Sequence, residues 1–297
     1  MRAALKMIEP QKRAIAGAKF RAWWDGATFD EAAFLAARET AAAAEPANLE
    51  NELFDAPRDP RLDGLARLWG QGRIMPAGDD AARLALLALP ENAALALLGP
   101  GHAGAVTPYV GAASVSVYEW RPETRAALEQ ALAPAPVTAL DLDLTTFPAE
   151  QFDGLISFDD FTYSSNPNRL ALQIARTLKL GAKAVIETYV ALPGSIVAPA
   201  FASAFAEPQV HAPAALAQAM NEAGLDFEAD EDVTAAHIAE IRAALTAFAE
   251  AAAAEAAQPS AAEAREIGWE IQTWRARLKL LAHGQLQRRR ILAHRRA

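Results

Sequence analysis

Leu95-Ala-Leu-Leu-Gly-Pro-Gly-His-Ala-Gly104 carries a short apolar run straight into three glycines, Gly99, Gly101 and Gly104, at GxGxxG spacing. A brief apolar run that stops at glycine reads as a buried strand, Ala94 to Leu98, and Ala103 to Gly111 reads as a helix after a sharp turn. Glycines at such a turn allow close backbone approach to a ligand, while the helix behind them offers free N–H groups. On its own the pattern also describes an ordinary glycine-rich connection. Glu119 adds to it, because an acid about 20 residues past the loop, closing a second strand from Ser114 to Tyr118, can accept hydrogen bonds from ribose hydroxyls. Trp120 follows, placed either to lie over an adenine ring or to pack at a strand end.

Working outward, short apolar runs alternate with helical patterns in βαβ rhythm. Further strands are predicted at Val137 to Leu140, Gly154 to Phe158, Lys183 to Tyr189 and Leu225 to Val233, and helices at Pro122 to Leu132, Asn168 to Leu178 and Pro213 to Ala223. Ile291 and Leu292, flanked by charge within Arg288 to Arg296, fit a final edge strand. The expectation is a doubly wound α/β fold with a mostly parallel seven-stranded sheet, whose ligands sit at the carboxyl ends of the strands.

Two helical additions frame this sheet. Residues 1–60 read as a helical cap followed by a linker: Thr28 and Glu31 have capping-box spacing ahead of a run rich in Ala, Glu and Arg, and Phe20, Trp23 and Trp24 precede it. Residues 61–297 form the α/β domain, with Leu62 to Trp69 as a short helix and Asp79 or Asp80 capping Ala81 to Leu89. A helical hairpin at about 235–284 precedes the last strand. Ile238, Ile241, Leu245 and Phe248 mark the apolar face of its first arm. Pro259 breaks the hairpin, Ser260 and Glu263 form a capping box, and Ile267, Ile271, Trp274, Leu278 and Leu281 line the second arm as far as Gly284.

The later segments carry a family resemblance. Phe152-Asp-Gly-Leu-Ile-Ser-Phe-Asp-Asp160 resembles the fourth-strand motif of class I S-adenosylmethionine-dependent methyltransferases. Asn166 to Gly181, followed by Ala184-Val-Ile-Glu-Thr-Tyr189, resembles their next helix, its glycine stop and the fifth strand. Ala215 to Val233 resembles the helix and sixth strand. The resemblance spans roughly residues 61–296 and implies a Rossmann-like fold, S-adenosylmethionine as cofactor and methyl transfer to a small-molecule acceptor. It further implies that Gly99, Gly101, Gly104, Glu119, Trp120 and Ser157 contact the cofactor and that Asp143 meets the adenine amino group. Asp160 and Tyr163 would face the acceptor. His102 is either a base or carboxylate ligand in the site or a solvated loop histidine.

The chain also departs from the family. Such proteins usually have an acid two residues before the first glycine, holding the ammonium of the methionine moiety, and here that position is Leu97. Ala103 stands where a third glycine is usual, and Pro100 removes a backbone donor. These departures keep open a methyltransferase-like protein without turnover that serves as a binding or regulatory partner. A nicotinamide-dependent oxidoreductase shares the glycine loop and acid but not the segments from Phe152 to Tyr189.

Composition narrows the partners. Among 297 residues, 52% hydrophobic, 37 acids stand against 28 bases, and the net charge of -9 repels nucleic-acid phosphates, so nucleic acid is set aside as a substrate. Without cysteine there is no disulfide, thiolate nucleophile or cysteine-ligated zinc. The histidines show no HExxH or paired spacing, so no metal site is expected. Met1 to Arg13 lacks the apolar core of a signal peptide, and no apolar stretch is long enough for a membrane span. A soluble, cytoplasmic protein is expected. Arg288, Arg289, Arg290, Arg295 and Arg296 read as a solvated terminus or edge strand in preference to a phosphate or anionic-lipid site. A homodimer or protein partner would bind through the N-terminal or C-terminal helices.

Overall fold

A computed structural model of the chain describes residues 60–70, 73–76, 85, 87–101, 114–132, 136–192, 210–254 and 259–297, with 30, 32, 33 and 35 nearer the N-terminus. The chain divides into two units, Met1–Arg58 and Asp59–Ala297. In the first, residues 32, 33 and 35 are helical, and the Asp30 carboxylate accepts the Ala33 N–H at 3.0 Å. The proposed Thr28–Glu31 capping box, Phe20, Trp23 and Trp24 lie outside the described residues, as do the Asp79 and Asp80 caps.

The second unit runs α1 (Pro60–Trp69), β1 (Ala94–Leu98), β2 (Ser114–Glu119), α2 (Pro122–Leu132), β3 (Val137–Ala139), β4 (Phe152–Phe158), α3 (Asp160–Tyr163), α4 (Pro167–Thr177), β5 (Leu178–Ala191), α5 (Pro213–Glu222), β6 (Leu225–Asp232), α6 (Thr234–Ala254), α7 (Ala261–Ala282) and β7 (Leu286–Arg295). The strands form one sheet in the order β3-β2-β1-β4-β5-β7-β6. β1 to β5 pair in parallel, and β7 is antiparallel to both β5 and β6. The doubly wound, mostly parallel sheet is therefore present. β5 begins earlier than Lys183: its pairing with β4 jumps from Phe152↔Leu178 to Gly154↔Lys183, an irregularity that leaves Lys179 to Ala182 out of register.

Side-chain alternation places the core on both faces. Leu95 and Leu97 of β1 join Ile156, Phe158, Val117 and Leu128 of α2, while Ala96 and Leu98 join Leu155, Ile186, Leu170 and Ile174 of α4, and Leu216 and Met220 of α5. Each fully buried Leu or Ile contributes about 1.5–3 kcal/mol relative to exposure. A third cluster gathers Leu65, Leu68 and Trp69 of α1, Ile241 of α6 and Trp274, Leu280 and Leu281 of α7 against Tyr189, Ala191 and Leu286. The apolar faces expected for the hairpin are thus the ones buried, and the Ser260–Glu263 capping box opens α7.

The last strand corrects the sequence reading. β7 is an interior strand between β5 and β6, and β3 and β6 are the edges of the sheet. The arginines flanking Ile291 and Leu292 look like an exposed edge in one dimension, but they pair with acids across the strand. Arg289 meets Asp230 at 2.9 Å, Arg290 meets Glu187 at 2.7 Å, Arg295 meets Glu150 at 3.1 Å, and Arg296 meets Asp226 at hydrogen-bond distance. Arg288 is 5% exposed. The basic end is therefore ion-paired to neighbouring acids, buried at Arg288 and exposed to solvent at Arg296. Among the described residues, no helix is long and apolar enough to cross a membrane.

Candidate functional site

The sheet order reverses at β1, whose neighbours β2 and β4 are followed by connections to opposite sides, and open α/β sheets bind ligands beyond the carboxyl ends of strands at such a point. Gly99 and Gly101 sit there with φ of 56° and 74°, left-handed values that L side chains rarely adopt. Space is equally restrictive. A Cβ on Gly99 would lie 2.3 Å from Asp160 Oδ1, and one on Gly101 would lie 2.6 Å from Ile74 Cδ1. Glu119, the last residue of β2 and fully buried, accepts the Gly101 N–H on Oε2 at 2.7 Å. The glycine turn and the acid predicted to work together are therefore joined by a direct hydrogen bond. His102 and Gly104 fall outside the described residues.

Arg121 crosses this junction. Its Nη1 lies 3.0 and 3.2 Å from the two Glu119 oxygens, its backbone N–H donates to Oε1 at 2.9 Å, and its guanidinium lies 4.1 Å from the centroid of the Trp120 ring. One side chain thus covers both the acid expected to hold a ribose and the indole expected to meet a base. Trp120 also packs on Tyr163, with ring centroids 4.9 Å apart. The buried Trp120 Nε1 has no hydrogen-bond partner among the described residues.

Two adjacent acids after β4 have separate environments. Asp159, at the left-handed φ of 63°, forms a buried ion pair with Arg288. Asp160 faces the glycine turn: Oδ2 accepts the Ser157 hydroxyl at 2.7 Å, and Oδ1 is buried with no hydrogen-bond partner among the described residues. Burial pushes the Asp160 carboxyl up to about 8, against the lowering effects of the Ser157 hydrogen bond and Arg121. Ser157, predicted as a cofactor contact, thus holds Asp160. It is Asp159, the residue before α3, that stands at the helix cap, and its side chain makes no capping hydrogen bond.

Asp143 is also committed elsewhere. Its oxygens accept from the Ser164 hydroxyl at 2.7 Å and from the Ser165 and Asn166 N–H groups at 3.0 and 3.2 Å, with a further short bond from the Ser165 hydroxyl. Burial opposes ionisation, but these bonds together hold the carboxyl below its ordinary value. Asp143 therefore fixes the approach to α4. Asp141, two residues past β3, accepts the Asp143 and Leu144 N–H groups on Oδ1 at 3.0 and 2.9 Å. It is the exposed acid at that end of the sheet.

Beside the glycine turn lies a polar cluster that the sequence did not announce. Arg288 joins Asp159 to Glu187, whose Oε2 is 3.1 Å from Arg288 Nη2, and Arg290 takes the other Glu187 oxygen. Burial opposes the Glu187 charge, yet Arg288 and Arg290 bring its carboxyl below the ordinary value. The Tyr189 hydroxyl lies 2.7 Å from His237 Nε2, and burial lowers the His237 pKa below its ordinary value. Arg277 donates to the Tyr163 hydroxyl at 3.2 Å and lies 4.4 Å from the Trp274 ring centroid. The hydrogen-bonded partners in this cluster stand 48 to 129 positions apart in the chain, so no local motif marks them.

No family model matches the chain, and no curated protein matches it. Solved structures do match in fold. A protein from Galdieria sulphuraria assigned as a sarcosine dimethylglycine methyltransferase superposes with a TM-score of 0.63 over 80% of this chain and 99% of its own, at 15% identity. Phosphoethanolamine N-methyltransferase 2 of Haemonchus contortus, in complex with S-adenosyl-L-methionine, gives 0.65 over 80% of this chain and 57% of its own, at 19% identity. The cyclase SpnF gives 0.56 over 74% and 82%, at 16% identity. The chain has the seven-stranded fold of these proteins, and the cyclase among them makes the residues of the site, not the fold, the guide to chemistry.

Proposed function

We propose that the chain binds S-adenosylmethionine and transfers its methyl group to a small-molecule acceptor. The observation that carries this reading is the Gly101–Glu119 hydrogen bond at the carboxyl ends of β1 and β2. It sets a backbone turn with left-handed glycines beside an acid that accepts hydroxyl hydrogens. Two buried polar atoms without partners among the described residues, Asp160 Oδ1 and Trp120 Nε1, border the same place and suit a polar ligand. In this reading Glu119 holds the ribose once Arg121 turns aside, Gly99 and Gly101 let the ligand lie close to the backbone, and Trp120 flanks the base. Asp141 takes over the adenine contact expected of Asp143, whose oxygens are already bonded. Tyr163 faces the acceptor.

When bound, S-adenosylmethionine supplies a methyl group activated by a sulfonium. The protein's own contribution is alignment and exclusion of water, with no obligatory strong base. Solved neighbours named for sarcosine dimethylglycine and phosphoethanolamine methylation support a small acceptor without choosing one. Calorimetric titration tests the reading. Wild type should bind S-adenosylmethionine and S-adenosylhomocysteine, and Glu119→Ala should weaken both by about 10- to 100-fold, the range of one or two charge-assisted hydrogen bonds.

A second reading, a ligand-free partner protein, is favoured by the position of Arg121 over both Glu119 and Trp120. In that case α6 and α7, where Trp269 is exposed, offer the docking face. Heat absent at millimolar ligand from wild type and from Arg121→Ala alike would leave this reading standing and remove the first.

A further inference from the structure

We propose that Asp160, through the buried Oδ1 that overhangs Gly99, holds the α-ammonium of the methionine moiety and stands in for the acid missing at Leu97. The inference rests on the methyltransferase reading above and deepens it. Leu97 cannot be the missing anion in another guise: it is fully buried in an apolar cluster with Leu95, Val117, Ile156 and Phe158. The acid available to this part of the site stands instead one strand over, two residues past the carboxyl end of β4.

Ligand direction follows from the proposed placement of the ribose at Glu119 and the base at Trp120 and Asp141. With the sugar at Glu119 on β2, the base lies toward β3 and the opposite end of the ligand crosses the Gly99–Gly101 turn toward β4. Asp160 is the acid waiting there. Its Oδ2 is satisfied by Ser157, its Oδ1 has no hydrogen-bond partner among the described residues, and that oxygen lies 2.3 Å from where a Gly99 side chain would begin. An acceptor atom left without a partner calls for a donor. Of the two cationic groups on the ligand, the sulfonium has no N–H to give, whereas the ammonium has three.

The surrounding charges explain why the group is held in reserve. Glu119 and Asp159 oppose ionisation of Asp160, Arg121 favours it, Ser157 hydrogen-bonds to it, and Arg288 is spent on Asp159. With burial the largest influence, the carboxyl reaches about 8 and carries its proton near neutrality. An ammonium arriving at Oδ1 reverses the balance: the carboxyl ionises, its proton passes to solvent, and a buried ion pair replaces a buried neutral acid.

The test compares S-adenosylhomocysteine with its desamino analogue, a plain thiobutanoate that lacks only the amine, by calorimetry. Wild type should bind the parent at least about tenfold more tightly, and Asp160→Asn should erase that preference by weakening the parent about 10- to 100-fold while leaving the analogue unchanged. Titrations of wild type at neutral pH in buffers of different ionisation enthalpy should show release of up to one proton per parent ligand and none with the analogue. This arm needs no variant, so a poorly folded Asp160→Asn does not remove the test. Equal affinities for both ligands, equal weakening of both by Asp160→Asn, or binding without proton release would overturn the inference alone. Binding of neither ligand would overturn the methyltransferase reading, and the inference with it.

Discussion

Replacing Arg288 with methionine should lower the unfolding free energy by about 3–5 kcal/mol, the usual consequence of removing one partner from a buried ion pair. Arg288 is buried between Asp159 and Glu187, and its guanidinium lies 4.7 Å from the Tyr189 ring centroid. Methionine keeps much of the volume but leaves Asp159 without its cation and Glu187 with Arg290 alone. Urea unfolding should show a lower midpoint with an unchanged slope. The pH dependence has a defined sign. Because the folded Glu187 carboxyl lies below its ordinary value, its stabilisation is present above that value, 4.5, and is lost as pH falls through the folded one. The gap between wild type and variant should therefore narrow in acid. A loss under about 1 kcal/mol at neutral pH would place this pair in the range of surface ion pairs and contradict its structural role.

Gly99→Ala is the second large effect expected. A left-handed φ of 56° costs an alanine roughly 1–2 kcal/mol, and the added methyl must displace Asp160 or the Phe158 carbonyl, 2.3 and 3.0 Å away. Neither group can yield cheaply, since one is a fully buried carboxyl anchored by Ser157 and the other is backbone. Overpacking of this kind typically costs a further 1–3 kcal/mol or so. Thermal unfolding should drop by several degrees, and calorimetry should find S-adenosylhomocysteine binding reduced beyond detection. An alanine variant that binds normally would show that the turn does not form the ligand cradle.

Much of the fold was legible because its signals are local. The short apolar runs at Ala94 to Leu98 and Gly154 to Phe158, the Ser260–Glu263 box and the apolar stripes of α6 and α7 all follow from patterns that a chain displays in one dimension. The β7 position was not, because an arginine-flanked strand has the same appearance whether its charges meet water or the acids of β5 and β6. At the site, the nearness of the Gly99–Gly101 turn to Glu119 was readable from a glycine loop after one strand and an acid closing the next. The bonds of Asp143 were not readable, because its partners, Ser164 to Asn166, belong to a different segment. Arg121 went unremarked for the opposite reason: it is only two residues from Glu119, yet an arginine beside a strand end carries no signature of turning back onto that acid. The unlike environments of Asp159 and Asp160 depend on Arg288, 129 positions away from the first of them, and no spacing rule encodes that.

A crystal structure of the protein soaked with S-adenosylhomocysteine bears most directly on where and how the ligand is held. The ribose hydroxyls should hydrogen-bond to Glu119 in place of the Arg121 guanidinium, with the sulfur above the Gly99–Gly101 turn. Density for the ligand anywhere else, or an intact Arg121–Glu119 pair with no ligand at saturating concentration, would contradict the account.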